Sequence, residues 1–157
     1  MADWRPVTRA IYGTILVTAL VAGLSEDPGY GSTDILISVL GTVLVFWVAH
    51  VYAEVLGSQA RRGDPWGFRI VRGAMVEEWP LLESVVLPSA ALLLGTMGAY
   101  SRDVSVDLAI GLGVASLFVF GFVFARRLRH SLTGALLAGG FNGLVGVVIV
   151  GLKLTLH

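Results

Sequence analysis

Five long apolar stretches, parted only by short polar segments, constrain this chain more than any other feature. They cover residues 6–24, 34–56, 80–100, 106–125 and 132–152. Each is long enough to cross the roughly 30 Å hydrocarbon core of a bilayer as a helix. Backbone polar groups in that medium must be satisfied within the protein, and a helix satisfies them within one segment. The expected fold is therefore an all-α, polytopic bundle of five transmembrane helices in a single domain.

Charge sets the expected direction of threading. With the N-terminus in the cytoplasm, nine of the 11 basic residues fall inside: Arg5, Arg9, Arg61, Arg62, Arg69, Arg72, Arg126, Arg127 and Arg129. Only Arg102 and Lys153 fall outside. Such a bias reflects the cost of moving cations across the membrane in short loops, and it predicts an N-in, C-out arrangement. Arg5 and Arg9 also precede an apolar stretch, as in a secretory signal. The sequence after it, Ala22-Gly23-Leu24-Ser25-Glu26, lacks a clean small-x-small cleavage site, so the stretch reads as a retained span. An integral protein of a bacterial inner membrane is the expected setting, with the lipid bilayer as its first partner.

Composition removes several classes of function. The formal net charge is +0, so no global field recruits nucleic acid. There is no cysteine, which excludes disulfides, thiolate metal sites and a cysteine nucleophile. No phosphate loop, nucleophile elbow or H-E-x-x-H motif is present, and the short loops leave no room for a soluble catalytic domain. An enzyme is the less favoured class. No internal repeat is visible, so any symmetry that function requires would come from a homo-oligomer.

Local signals mark the ends of the spans. Trp4 suits an interfacial anchor, and Pro6 suits a first helical turn. Thr33 or Asp34 can cap the second span. Between residues 57 and 79 the spacing of Phe68, Val71, Met75 and Trp79 predicts an amphipathic helix lying in the inner interface before the third span. Its Arg69 and Arg72 would face anionic headgroups, as would Arg126, Arg127 and Arg129 at the end of the fourth span. The alternative is that this helix simply continues the third span. Pro80 should start that span and Pro88 should kink it. Small-residue ladders (Ala91, Gly95, Ala99; Ala109, Gly113; Ala135, Gly139, Gly143) read as packing seams between helices. The run Gly139-Gly140-Phe141-Asn142-Gly143 could instead unwind locally.

Ionisable groups inside spans are costly, so each is a functional candidate. His50 and Glu54, four apart, share one face of the second span, and Glu83 lies at a similar depth in the third. Glu77 and Glu78 flank the start of the third span, and Tyr52 is a candidate headgroup anchor. Three readings stay open. His50, Glu54 and Glu83 could ligate a divalent metal ion through imidazole nitrogen and carboxylate oxygen. They could relay protons. Or they could be structural, with His50 donating to Glu54, and Glu54 pairing with Arg61 or Arg62. Asn142 could coordinate a permeating ion at mid-membrane or glue two helices together.

The function expected from this pattern is transport or channelling of an inorganic cation or proton. The binding residues would be His50, Glu54, Glu83 and Asn142, with Glu77, Glu78 and Tyr52 accessory. The alternatives are a non-enzymatic subunit that packs against a partner membrane protein and, third, a metal-dependent membrane enzyme acting on lipid.

Overall fold

The computed structural model describes residues 5–62, 67–128 and 131–155, without the side chains at 61–62, 149–150 and 152–155. Seven helices make up these residues, with no strand among them: α1 (Arg5–Leu24), α2 (Ser32–Arg62), α3 (Phe68–Glu77), α4 (Trp79–Glu83), α5 (Val86–Thr96), α6 (Arg102–Arg127) and α7 (Leu132–Thr155). Four membrane-length apolar helices are present: Arg5–Leu24, Ser32–Ala60, Trp79–Thr96 (α4 and α5 together) and Arg102–Arg127. The fifth predicted stretch is the helix α7, apolar over Leu132–Val148 among the described residues. Large apolar side chains cover the outer surface: Ile37, Val45, Leu137 and Phe141 are all more than 60% exposed. Such a surface suits contact with lipid rather than water.

Helix ends follow local chemistry. At α2 the helix begins at Ser32, one residue earlier than Thr33, and Asp34 is not the cap. Its carboxylate instead reaches back one turn to accept from the Gly31 N–H at 2.9 Å, the back-bonding half of a capping box. Ser101 caps α6 and accepts from the Val104 N–H, so that helix starts four residues before Val106. The third span ends at Thr96 rather than near Tyr100 because Gly98 takes a left-handed φ of 77°. The Ala99 N–H then bonds Leu94 O and the Gly98 N–H bonds Gly95 O, both at 3.0 Å, the two closing bonds of a Schellman motif.

The predicted kink falls one turn earlier than Pro88. The helix is interrupted at Ser84 and Val85, between α4 and α5. Pro88 has no N–H to donate to the Ser84 carbonyl, and its ring crowds that same carbonyl, so the break appears at the acceptor and not at the proline. By contrast, α7 runs unbroken through Gly139–Gly143. Gly139 serves close approach, whereas Gly140 faces open space. Gly139 lies against the backbone and ring of Phe118, and Gly146 against Val114 and Leu117.

α1 and the third span lie at the centre. α2 packs on one flank and α6 with α7 on the other, the α6–α7 seam being the most extensive. The apolar core joins Val17, Val21, Ile35, Val39, Leu81, Leu92, Ala109 and Ile110 from α1, α2, α4, α5 and α6. α3 docks on the far end of α2, with Ile70, Val71 and Ala74 against Val51 and Val55. The predicted apolar stripe mostly faces away from the bundle. Of Phe68, Val71, Met75 and Trp79, only Val71 turns inward; Phe68 is 84% exposed.

Candidate functional site

At one end of α1 lies a buried ion pair. Arg9 Nη2 is 2.7 Å from Glu78 Oε1 and 3.6 Å from Glu77 Oε2, and Arg5 adds a longer contact to Glu77 at 3.8 Å. Glu78 is only 3% exposed. It occupies the joint between α3 and α4, where its backbone (ψ −1°) leaves the helical path for one residue. That geometry turns the carboxylate inward while Glu77 stays at the surface. The second oxygen, Glu78 Oε2, is buried with no hydrogen-bond partner, as is Trp47 Nε1 on α2. Trp47 packs against both apolar clusters, whose members Ala74 and Leu81 bracket Glu78 along the chain.

Between this end and the other, buried hydroxyls lie at successive positions in the bundle. Thr14 and Thr18 on α1, Ser84 at the break of the third span, and Ser105 on α6 with Ser32 on α2 are all buried. Ser84 sits against Gly13, Thr18 against Gly113, and Ser105 and Ser32 against Gly95. In each case the glycine removes the side chain that would otherwise block the hydroxyl. Thr14, Thr18, Ser84 and Ser105 donate to carbonyls of their own helices, at 2.7–2.8 Å. This back-bonding satisfies the hydroxyl proton and leaves oxygen lone pairs facing the neighbouring helix. Ser89 Oγ, between Ser84 and Gly95 on the third span, is buried with no partner. From Glu78 to Gly95 the third span rises roughly 25 Å at about 1.5 Å per residue.

The opposite end is closed by Arg102. Its Nη2 donates to Ser25 O (2.8 Å) and Asp27 O (3.0 Å), and its Nε to Tyr30 O (2.6 Å). One guanidinium thereby ties the α1–α2 loop to the start of α6. Ser32 and Ser105 share a hydrogen bond of 2.9 Å just beneath it.

The residues expected to form the site are not gathered in this way. His50 Nδ1 lies 2.8 Å from Phe46 O. A carbonyl only accepts, so Nδ1 donates this bond and does not donate to Glu54. The ring lies 5.5 Å from that of Tyr12, centroid to centroid, between α1 and α2. Glu54 is half-buried, whereas Glu83 and Tyr52 are exposed on the bundle surface. Among the described residues no group of three or more His, Asp or Glu side chains could hold a metal ion. His50, Glu54 and Glu83 do not form such a group.

Asn142 faces the α6–α7 seam. Its Nδ2 donates to Ala138 O at 3.2 Å and packs over Gly121. It packs α7 against α6 and gives an amide N–H to its own helix. Arg69, Arg72, Arg126 and Arg127 are exposed near helix ends, as headgroup contacts require. Trp4, Arg129 and the side chains of Arg61, Arg62 and Lys153 lie outside the described residues.

Sequence reasoning had Glu78 as an accessory residue and Arg9 as a topology signal; the structure joins them. The buried hydroxyls went unread. Its signal was present in the i, i+4 spacing of Thr14 and Thr18 within an apolar span, beside Gly13. No family model matches the chain, and no curated protein or solved structure gave a significant match to it.

Proposed function

We propose that this membrane protein moves protons across the bilayer, with Glu78 as the residue that takes and releases them. The observation that supports the reading is the buried Glu78 carboxylate, which has one oxygen on Arg9 and the other without a partner. Between it and the far side, buried hydroxyls lie at successive positions. Carboxylates and hydroxyls pass protons without needing an open pore, which suits a tightly packed interior. Ionisable groups at membrane depth are the ordinary components of such relays.

In this reading the chain spans the bilayer five times, N-in and C-out. The positive-inside bias puts the Arg9–Glu78 end in the cytoplasm. There Arg9 and Glu78 form the ion pair that an arriving proton would break. His50 and Glu54 are the nearby groups through which protons arrive from α2. Ser84, Thr14, Ser89, Thr18 and the Ser32–Ser105 pair carry them onward. Glu83, on the outer surface, has no part in it.

The test is proton uptake into proteoliposomes under an imposed potential. Wild-type protein should acidify the lumen faster than empty liposomes do. Glu78→Gln should remove at least nine-tenths of that rate while the protein keeps its elution volume and helical content. Glu83→Gln should change it less than twofold. A wild-type rate equal to that of empty liposomes would discard the proposal. It would favour the second reading, a non-enzymatic subunit that packs against a partner membrane protein. That reading draws its support from the open groove between α6 and α7.

A further inference from the structure

The outward face of α6 and α7 carries a groove of about 740 Å³ that the proton reading does not use. Its walls include Phe118, Leu144 and Val147, and its floor is bare backbone at Gly111 and Gly140. A methyl group built on either glycine meets nothing within 4 Å, so no described residue fills the space. At one end stands Asp107, exposed, without a hydrogen bond or ion pair among the described residues.

Asp107 lies roughly 7.5 Å along α6 from Arg102, at about 1.5 Å per residue. In a membrane that is the boundary between headgroups and hydrocarbon. A carboxylate there is costly unless a cation meets it. From Asp107 to Phe118 the groove follows α6 for roughly 16 Å on the same rise. That is the reach of most of one extended acyl chain.

We propose that this groove binds one phospholipid whose headgroup carries a primary ammonium. The ammonium donates to the Asp107 carboxylate, and an acyl chain lies over Gly111 and Gly140. Charge selects the lipid: the carboxylate attracts an ammonium, and its hydrogen bonds favour N–H over a methylated nitrogen. An anionic headgroup would meet like charge. A symmetric second copy fits less well, because a two-fold axis along this groove would bring two Asp107 carboxylates together.

Lipid retention by detergent-purified protein, read by native mass spectrometry, tests this. Phosphatidylethanolamine, phosphatidylcholine and phosphatidylglycerol with the same acyl chains are added separately. Wild type should hold one phosphatidylethanolamine per chain, about tenfold more tightly than the other two, a difference of ~1.4 kcal/mol. Asp107→Asn should abolish the preference and Gly111→Leu the binding itself. Because Gly111 faces open space, its leucine variant should keep the wild-type unfolding temperature. Equal retention of the three lipids, or an unchanged preference in Asp107→Asn, overturns the proposal. So does a lipid-free dimer that covers the groove. A stability loss in Asp107→Asn that Lys153→Gln restores, with lipid retention unchanged, would make Asp107 an internal counter-ion and overturn it as well.

Discussion

The two ends of the bundle are each tied by one arginine, and they are tied differently. Arg102 spends Nε and Nη2 on three backbone carbonyls, Ser25 O, Asp27 O and Tyr30 O, and its Nη1 makes only a long 3.4 Å contact with the exposed Asp103 carboxylate. The carbonyls are neutral and do not titrate in the physiological range, so that end is a clasp. Arg9 spends its charge on carboxylates, and the carboxylate of Glu78 keeps a buried oxygen with no partner. That end holds a group able to change charge. The same residue type thus serves as a staple where its partners are peptide groups. It serves as a counter-ion where its partner can take a proton. The ordinary surface contacts of Arg5 and Arg9 with the half-exposed Glu77 add little to either.

Breaking the counter-ion should have the largest effect. Arg9→Met leaves the Glu78 carboxylate buried and unpaired, and we expect a loss of roughly 3–5 kcal/mol in denaturant unfolding of the detergent-solubilised protein. Arg9→Met with Glu78→Met should recover most of it, because the pair is replaced by apolar volume. A loss under about 1 kcal/mol in Arg9→Met would mean that the pair behaves as a surface contact, and the contrast between the ends would disappear.

Next comes the seam between the ends. A side chain at Gly113 overlaps the Thr18 hydroxyl, so Gly113→Val should cost about 2–3 kcal/mol. Thr18→Ala in the same chain should return part of that loss. Full additivity of the two changes would show that α1 and α6 are further apart than the glycine contact requires.

Arg102→Met should cost less, about 1–2 kcal/mol, since it abandons neutral carbonyls rather than a buried charge. Proton uptake should persist in this variant, which sharpens the contrast with Glu78→Gln. Equal loss of uptake in both would end the distinction between clasp and counter-ion. The smallest effect belongs to Gly98→Ala. It forces an alanine to φ 77° in an otherwise open turn, for ~1 kcal/mol, visible as a lowered unfolding midpoint.

Much of the helix layout was legible in the sequence because its causes are local or periodic. Apolar run lengths marked the stretches. Pro80 opened α4, and the ladder of Ala135, Gly139 and Gly143 did turn to the α6–α7 seam, where all three are buried. The errors came where a local signal acts at a distance along the chain. Pro88 breaks the helix at the carbonyl four residues back. Asp34 serves the helix start from inside the first turn, through the Gly31 N–H, rather than as the cap residue itself.

The site was far less legible. His50 and Glu54 stood out because they share one helix, and spacing within a helix can be counted. Arg9 and Glu78 meet only because α1 packs along α4, and nothing in either segment encodes that neighbour. The sequence by itself determined an all-α chain of apolar helices, the side that collects its arginines, and the faces made of small residues. Only the tertiary structure decided which helices touch. It thereby decided which carboxylate is buried against a guanidinium, which stays on the surface as Glu83 does, and which hydroxyls are buried. The physical reason is that burial and pairing depend on neighbours distant in sequence, whereas helix formation in an apolar medium depends on the segment alone.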